Sequence, residues 1–248
     1  MTRYGTLAAV ITAMPLGLVQ AQTTASQRAA EDFLPAGTSH MEGATTLLVE
    51  DAAPWGYRSN EKVLKSLGVA FDTVSSKRFK SVDLDLYSAI IVASDQPQAF
   101  YDALATRAGA IDAWLQHGAR TLEFHGADQS YNVMAFVLPG QIRVTWDPQE
   151  RNVLTWSPDP LTAGLPEVMN GTYASHVTFE GHHILKAHVL IATGDKPRRP
   201  VMIDYCVGGG RVIATGQTVE FAYYWGWDFA PVLTSMIAAS TATPGCPG

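Results

Sequence analysis

Short apolar runs alternate with helical segments through the first half of this 248-residue chain, and this alternation constrains the fold more than any other feature. Four runs are typical of buried strands, at 45–49, 69–74, 87–93 and 120–124. Helices are predicted at 61–67 and 98–117, where Gly68 and Gly118 end them. Strands that alternate with helices pair in parallel, because each helix returns the chain to the start of the next strand. The pattern predicts an α/β fold with an open, mostly parallel flavodoxin-like sheet and helices on both faces.

The second half of the chain predicts an added antiparallel hairpin region. Six short strands are expected there, at 141–146, 152–156, 175–179, 187–193, 200–205 and 211–215. The first two favour a hairpin, and Gly208-Gly209-Gly210 joins the last two in a tight reversal that glycines make at low cost. A helix at 227–239 closes the domain, which we expect to span 45–240 and to precede a tail at 241–248.

The first 21 residues are typical of a signal peptide. Arg3 precedes an apolar stretch at 7–19, and Val19-Gln20-Ala21 places small residues where a signal peptidase cleaves. The alternative is an uncleaved membrane anchor, which is disfavoured because the stretch is short for a transmembrane helix and is interrupted by Pro15 and Gly17. We therefore expect secretion or a periplasmic location, with a mature chain from Gln22 and a loose polar leader at 22–44. No later segment is long and apolar enough to predict membrane insertion after cleavage.

The two cysteines, Cys206 and Cys246, favour a disulfide in an oxidising compartment. A bridge would attach the tail to the sheet, because Cys206 ends a predicted strand. An unpaired state is the alternative, since the distance between them cannot be read from sequence. Neither cysteine lies at a strand-to-helix turn, so we expect no nucleophilic role for either.

The net charge argues against nucleic acid as a partner, and the spacing of the histidines argues against a bound metal ion. The net charge is −6 and basic residues form no large cluster, which argues against nucleic acid. His176, His182, His183 and His188 lie near Glu180 in the sequence. However, adjacent histidines on a strand point to opposite faces, and no zinc-ligand motif is present. We therefore predict neither a metal nor another cofactor.

Polar side chains follow several predicted strands, where ligands bind in open α/β sheets. They are Asp51, Ser94, Asp95, His125, Gln217 and Glu220. Histidine titrates near neutrality, so His125 is the candidate catalytic base, with Asp95 or Glu220 orienting it. Asp51, Ser94 and Gln217 are candidate ligand-binding residues. The alternative is that Asp51 and Asp95 only cap helices or hold loops.

Aromatic residues follow two of the same strands. Trp55 and Tyr57 come after the first strand, and the segment 221–229, which contains Trp225, comes after the last. Aromatic faces beside polar groups suit sugar rings, whose apolar C–H faces stack while their hydroxyls form hydrogen bonds. We therefore predict ligand-binding roles for Trp55, Tyr57 and Trp225. The alternative is that such rings pack the closing helix onto the sheet, which is favoured for Phe221 and Phe229.

Three segments resemble class I glutamine amidotransferase-like domains, and most closely their ThuA-like (trehalose-utilisation) relatives. The run 117–126 resembles a helix–glycine–strand step in which the ThuA-like strand ends in histidine. Range 158–166 resembles a proline- and glycine-containing segment of those proteins. Range 200–216, with Pro200-Val201, Tyr205 and Gly208-Gly209-Gly210-Arg211-Val212, resembles the ending of those proteins. The similarity covers 45–240 and implies the same flavodoxin-like fold.

The chain departs from this resemblance at the catalytic positions. Amidotransferases place a nucleophilic cysteine at a strand-to-helix elbow and a His-x-Glu pair late in the chain. Here the corresponding segments carry His125 and Thr218-Val219-Glu220, so the cysteine is missing and only the late carboxylate remains. Losing the nucleophile of a triad enzyme lowers its rate by roughly three to six orders of magnitude. The resemblance therefore implies that this chain does not hydrolyse glutamine by the family mechanism.

Three functions follow from these features. The first is an exported domain that binds a small polar ligand, such as a carbohydrate, at the carboxyl edge of the sheet. The second is a ThuA-like enzyme or hydrolase with His125 as general base and a neighbouring carboxylate. The third is a structural module of the cell envelope.

Overall fold

The structure is a computed structural model, and it describes residues 43–155, 159–242 and 244–246. The predicted signal peptide and all but the last two residues of the predicted leader lie outside the described residues. Within the described ranges, ten strands form one sheet. They are β1 Thr46–Val49, β2 Phe71–Val74, β3 Ala89–Val92, β4 Thr121–His125, β5 Val137–Leu138, β6 Ile142–Leu154, β7 Val168–Glu180, β8 His188–Thr193, β9 Pro200–Val207 and β10 Gly210–Thr215.

Six α-helices accompany these strands in the described part of the chain. They are α1 Ser59–Ser66, α2 Ser76–Phe79, α3 Gln98–Thr106, α4 Ala108–Gln116, α5 Val219–Trp225 and α6 Pro231–Ala242. The sheet order is β2-β1-β3-β4-β10-β9-β8-β6-β5, and β7 pairs with β6 outside this path. Strands β2, β1, β3, β4 and β10 are parallel, and the others add antiparallel pairs. The predicted flavodoxin-like α/β fold is confirmed.

The parallel strands are buried on both faces, as their continuous apolar runs predict. In β1, Leu47 and Val49 belong to one core and Leu48 to the other, because alternate side chains point to opposite faces. Helices α3 and α4 cover the first core, and α1 and α6 cover the second. This arrangement leaves the carboxyl ends of the parallel strands free to form a site.

The predicted antiparallel region is present, but its strands differ from the predicted ones. The predicted strands at 141–146 and 152–156 do not form a hairpin, because residues 142–146 and 152–154 lie on one long strand, β6. Its partner is β7, and the register shifts between Trp146 and Arg151. Asp147-Pro148-Gln149-Glu150 therefore forms an irregularity in a continuous strand, although its residue types are typical of a turn.

Two predicted helices also differ in their bounds. The helix predicted at 98–117 is divided into α3 and α4 at Arg107, which has φ −104° and ψ 1°. The Arg107 guanidinium donates to the carbonyls of Lys80 and Val82, so this break is tied to the neighbouring loop. The closing helix begins at Pro231 instead of residue 227, because α5 occupies the aromatic segment before it.

The predicted disulfide between Cys206 and Cys246 is present, with the two Cα atoms 5.8 Å apart. The amide of Gly245 also donates to Oγ1 of Thr121, at 2.9 Å. These contacts attach the described part of the tail to the start of β4 and to β9. Among the described residues, no helix has the length and apolar character needed to cross a membrane.

Candidate functional site

A cleft of about 670 Å³ opens at the carboxyl ends of the parallel strands. One wall comes from the segments that follow β1, β4 and β10, and the other comes from β6 and β7. Five aromatic side chains line it: Trp55, Trp146, Tyr173, Phe221 and Trp227. We call this cavity the aromatic cleft. Its position matches the rule for ligand binding in open α/β sheets.

The polar groups of the aromatic cleft are neutral. They are Gln129, Thr172, His176 and Thr218. Among the described residues, no lysine, arginine, aspartate or glutamate side chain lines the cleft. The lining therefore offers apolar ring surface and uncharged hydrogen-bonding groups.

Gly216 allows β7 to form one wall of the cleft. A Cβ atom at this position would lie 2.0 Å from the carbonyl oxygen of Val177, so a larger residue would push β7 away. The amide of His176 donates to the Gly216 carbonyl at 2.9 Å. Close contact between β7 and the end of β10 therefore depends on the absence of a side chain at residue 216.

His176 is the histidine of the cleft lining, and histidine is the side chain whose usual pKa lies nearest neutral pH. Its Nδ1–H donates to the carbonyl oxygen of Asp128, which can only accept, so Nε2 is the unprotonated nitrogen of the neutral ring. Burial lowers the pKa of His176 from its usual 6.5 and favours this neutral form. The ring makes edge contacts with Trp55, Trp146 and Tyr173, with centroids 5.2–5.4 Å apart. His176 can thus offer a hydrogen-bond acceptor between aromatic walls.

Sequence reasoning did not place His176 in this site. Its position depends on the pairing of β7 with β6 and on the contact with Gly216. Neither feature has a local sequence signal. Trp146 was missed for the same reason.

Trp55 lines the cleft, where the sequence predicts a binding wall. Its φ is +57°, in the left-handed region that non-glycine residues seldom adopt. Two hydrogen bonds hold it there: its amide donates to Oδ2 of Asp95 at 3.2 Å, and its Nε1–H donates to Oγ of Ser94 at 3.0 Å. Ser94 and Asp95 therefore position a wall of the cleft.

Asp95 joins two loops of the site. Besides Trp55, it accepts from the amide of Gln129 at 3.3 Å and from the Gln129 side chain at 2.9 Å. Asp95 itself has φ +53°, and its amide donates to the carbonyl of Ala127. This carboxylate holds two lining residues in place and has no hydrogen bond to His125 among the described residues. These contacts agree with the alternative interpretation, in which Asp95 holds loops in place.

His125 lies below the cleft in a fully buried cluster with two carboxylates. Its Nδ1–H donates to Oε1 of Glu220 at 2.8 Å, and its Nε2–H donates to Oε1 of Glu123 at 2.7 Å. Burial alone would lower the pKa of His125, but the two carboxylates outweigh burial and raise it to about 10. Burial would likewise raise the pKa of Glu220, but His125 and Ser94 hold it below its usual value. The cluster therefore contains an imidazolium between acidic groups.

The prediction of His125 as a catalytic base does not fit this position. Its side chain is 0% exposed, does not line the cleft, and has both nitrogens bonded to carboxylates. Glu220 is equally buried, and its Oε2 accepts from Oγ of Ser94 at 2.8 Å. Because Ser94 also accepts from Trp55, the cluster supports the cleft from below. Glu123 was missed, although it is two residues before His125 and shares its face of β4.

Two other predicted binding residues are engaged elsewhere. The Asp51 carboxylate accepts from the amide of Ser76 at 2.7 Å and from its hydroxyl at 2.6 Å, so it caps the start of α2. Gln217 is buried and donates to Oδ1 of Asn152 at 3.3 Å. Neither side chain lines the aromatic cleft.

Tyr57 and Trp225 lie beside the cleft and do not line it. Tyr57 stacks on Tyr224 with ring centroids 3.6 Å apart, and Trp225 is 57% exposed at the end of α5. Both rings contact Phe221, which does line the cleft, at centroid distances of 6.2 and 6.1 Å. The two residues extend the aromatic surface beyond the cavity.

The described histidines outside these clusters form no metal centre. His182 and His183 lie in a short 3₁₀-helix, Gly181 precedes it, and His188 starts β8. In the described ranges, no group of three or more His, Cys, Asp or Glu side chains is arranged to hold a metal ion.

Comparison with known proteins supports the fold. No protein-family model matches the sequence. An uncharacterized protein of Clostridium acetobutylicum is 30% identical over 202 residues, which are 77% of this chain and 20% of that protein. The chain therefore spans about a fifth of the length of this curated relative.

Solved structures with little sequence identity share the architecture. A cytoplasmic protein of Salmonella typhimurium is similar with a TM-score of 0.56 and 12% identity, covering 82% of this chain and 100% of its own. A glutamine amidotransferase from Thermotoga maritima is similar with a TM-score of 0.51 and 10% identity, over the same shares of the two chains. The chain thus has the fold of a glutamine amidotransferase.

Proposed function

We propose that this chain is an amidotransferase-like domain that binds an uncharged carbohydrate in the aromatic cleft. The observation that carries the proposal is the lining itself, which combines five aromatic rings with neutral hydrogen-bonding groups. Sugar rings present apolar C–H faces that stack on aromatic rings, and hydroxyls that bond to amides, hydroxyls and imidazole. A largely apolar cavity with a few convergent polar groups is the usual form of a small-molecule site.

The cysteines support a role other than glutamine hydrolysis. The sequence contains two, and both belong to the Cys206–Cys246 disulfide. The strand end that would carry the amidotransferase nucleophile carries buried His125 instead. With no thiolate at this position, the family mechanism has no group to attack an amide carbonyl. We also propose that the chain is related more closely to ThuA-like proteins than to glutamine amidotransferases.

A catalytic role is the second candidate, and the observation favouring it is His176. A neutral imidazole with one nitrogen bonded to a backbone carbonyl has the arrangement of a general base. In a hydrolase, His176 would take the role that the sequence suggests for His125. Product formation from neutral oligosaccharides that is lost in His176→Gln, with binding retained, would support this candidate.

We further propose that the protein works outside the cytoplasm. The Cys206–Cys246 disulfide supports this location, because such bonds persist in oxidising compartments. A purely structural module of the envelope is the competing role, and it predicts no saturable ligand.

A thermal-shift screen tests the binding proposal. The purified protein is heated with neutral sugars, amides and divalent cations in separate wells. A sugar at about 100 times its Kd stabilises the folded state by about 2.7 kcal/mol, so the melting temperature rises. Trp146→Ala removes a wall of the cleft and should abolish the rise. Leu86→Ala is the control, because Leu86 is exposed and lies outside the cleft lining.

The screen can also contradict the proposal. If no neutral sugar shifts the melting temperature, carbohydrate binding is wrong. The same conclusion follows if Trp146→Ala retains the full shift, because the sugar then binds outside the aromatic cleft. A shift with amides alone would redirect the assignment to an amide ligand.

A further inference from the structure

We propose that the ligand is a chain of several neutral sugars that lies across the aromatic cleft and extends beyond both of its sides. This inference rests on the proposed carbohydrate-binding function. It adds the substrate class, an oligosaccharide or polysaccharide strand, and it assigns binding roles to aromatic residues on the rims.

Exposed aromatic residues are concentrated around the cleft. Three aromatic side chains in the described part of the chain are well exposed: Tyr131 at 67%, Tyr173 at 50% and Trp225 at 57%. Tyr173 lines the cleft, Tyr131 contacts Trp146 of the lining, and Trp225 contacts Phe221 of the lining. Contact between a large apolar aromatic surface and water is unfavourable, and exposed patches of such surface mark interaction sites.

The rim at Trp225 is held by neighbouring rings. Trp225 is the last residue of α5, and Gly226 ends the helix in the left-handed conformation with φ +68°. Trp225 makes edge contacts with Tyr57 and Tyr224 at centroid distances of 6.3 and 5.4 Å. Its ring is therefore supported from one side and still accessible to solvent.

A second rim, beside Trp146, is formed by Tyr131, just before a short 3₁₀-helix that follows β4. The turn before it is fixed by Asp128, which accepts from the amide and the hydroxyl of Ser130 at 2.7 and 2.8 Å. The Tyr131 ring lies 5.0 Å from the ring of Trp146, inclined by 54°. Tyr131 thus continues the aromatic surface past the cleft.

Neighbouring rings connect the two rims through the cleft. In order they are Trp225, Phe221, Trp55, His176, Trp146 and Tyr131, with successive centroids 5.0–6.1 Å apart. We call this series the aromatic track. One sugar ring covers about one aromatic side chain, so a single sugar would leave most of the track uncovered. A chain of sugars can contact the whole track.

The charges near the track favour a neutral chain. Lysine or arginine contacts favour acidic polysaccharides by neutralising their carboxylates, and neither residue type lines the cleft among the described residues. Lys62 lies near one rim, but its ammonium group is placed over the Tyr224 ring, 5.4 Å from the centroid. Neutral sugars therefore match the lining better than uronic acids do.

Calorimetric titration against sugars of increasing length tests this inference. The probes are glucose, mannose and N-acetylglucosamine, each as the single sugar and as its β-1,4-linked oligomers up to six units. Affinity for the bound series should increase at least about tenfold from one to six units, since each added sugar brings a further ring of the track into stacking contact. Trp225→Ala and Tyr131→Ala should weaken hexasaccharide binding by about tenfold and leave single-sugar binding unchanged within about twofold.

The controls separate this inference from the function it rests on. Trp146→Ala should weaken binding at every length, and Leu86→Ala should change none. If no sugar of any length binds, the proposed function fails and the inference fails with it. If single sugars bind as tightly as hexasaccharides, or if Trp225→Ala has the same effect at both lengths, the extended ligand is wrong while carbohydrate binding stands.

Discussion

Nδ1 of His125 lies 2.8 Å from Oε1 of Glu220, although the two residues are 95 positions apart in the sequence. The contact joins the end of β4 to the first turn of α5. Both side chains are fully buried, and Ser94 connects Glu220 to Trp55 of the cleft through two hydrogen bonds. The pair is therefore a buried support for one wall of the aromatic cleft.

Glu220→Gln should destabilise the protein strongly. The substitution leaves the imidazolium of His125 with only Glu123 as an acidic partner, inside a fully buried site. Breaking a buried ion pair in this way costs about 3–5 kcal/mol, measured as the free energy of unfolding in urea. Asp85→Asn is the control, because Asp85 is exposed in its pair with Arg120 and should change stability by less than about 1 kcal/mol. Equal effects of the two substitutions would contradict the buried-pair account.

Stability should fall as the pH rises above neutrality. The pKa of His125 is 6.5 when unperturbed and about 10 in the folded protein, so the folded state binds more protons between these values. The contribution of His125 is fully present below pH 6.5 and is lost as the pH rises through about 10. Urea unfolding at pH 6, 8 and 10 measures the loss.

Glu220→Gln also serves as the comparison for this pH profile. With one carboxylate removed, the pKa of His125 is raised less, so the loss of stability between pH 6.5 and 10 should be smaller than in the unsubstituted protein. Glu50, whose pKa burial, Glu61 and Glu220 raise to about 8, adds its own loss between pH 4.5 and 8, and this loss should also be smaller in Glu220→Gln. The two proteins are therefore compared between pH 8 and 10, where the loss from His125 remains. Identical alkaline slopes in the two proteins would show that the His125–Glu220 pair is not the source.

Gly216→Ala should destabilise the protein and open the cleft. The added Cβ would meet the Val177 carbonyl at 2.0 Å, so β7 must move, at a cost of about 1–3 kcal/mol. Gly109→Ala is the matched control, because nothing lies within 4 Å of a Cβ there and alanine favours helix α4, adding about 0.5–1 kcal/mol. Chemical denaturation of both variants checks the signs, and a neutral result at Gly216 would argue against the close contact.

Removing the disulfide should lower stability without affecting ligand binding. Cys206 and Cys246 are 40 residues apart, and a bridge that closes such a loop contributes about 2–4 kcal/mol. Cys206 pairs with Arg211 near the start of β10, at the opposite end of the strand from the cleft. The double serine variant should therefore unfold at lower urea concentration and bind sugar as before. If a reductant leaves the urea midpoint of the unsubstituted protein unchanged, the disulfide does not stabilise it.

The parallel half of the fold could be predicted because its signals are local. Apolar runs such as Ala89–Val92 are long enough to identify buried strands, and glycines end the helices between them. The antiparallel half was predicted less accurately. Asp147-Pro148-Gln149-Glu150 has turn-forming residues, but pairing with β7 keeps β6 extended through them. Tertiary contacts outweighed the local preference.

The candidate site could be predicted only in part, because its location follows from local signals whereas its side-chain packing does not. The sheet edge follows from the strand order, and Trp55 follows β1 closely enough to reach it. Whether a polar residue at this edge faces a ligand or the interior depends on packing that the sequence pattern does not specify. His125 is enclosed by Glu123 and Glu220, and Asp51 caps α2, whereas His176 enters the cleft from a distant strand.

Indole N–H signals in a ¹⁵N NMR titration test most directly whether the aromatic cleft binds a carbohydrate. The signals are assigned by single Trp→Phe variants, and cellohexaose, mannohexaose and chitohexaose are added in separate titrations. The account predicts that at least one sugar shifts Trp55, Trp146 and Trp227 saturably, while Trp114 stays fixed, since Trp114 is buried and donates to the Tyr87 carbonyl away from the cleft. If no sugar shifts the three cleft signals, or if Trp114 moves as far as they do, the cleft is not a carbohydrate site.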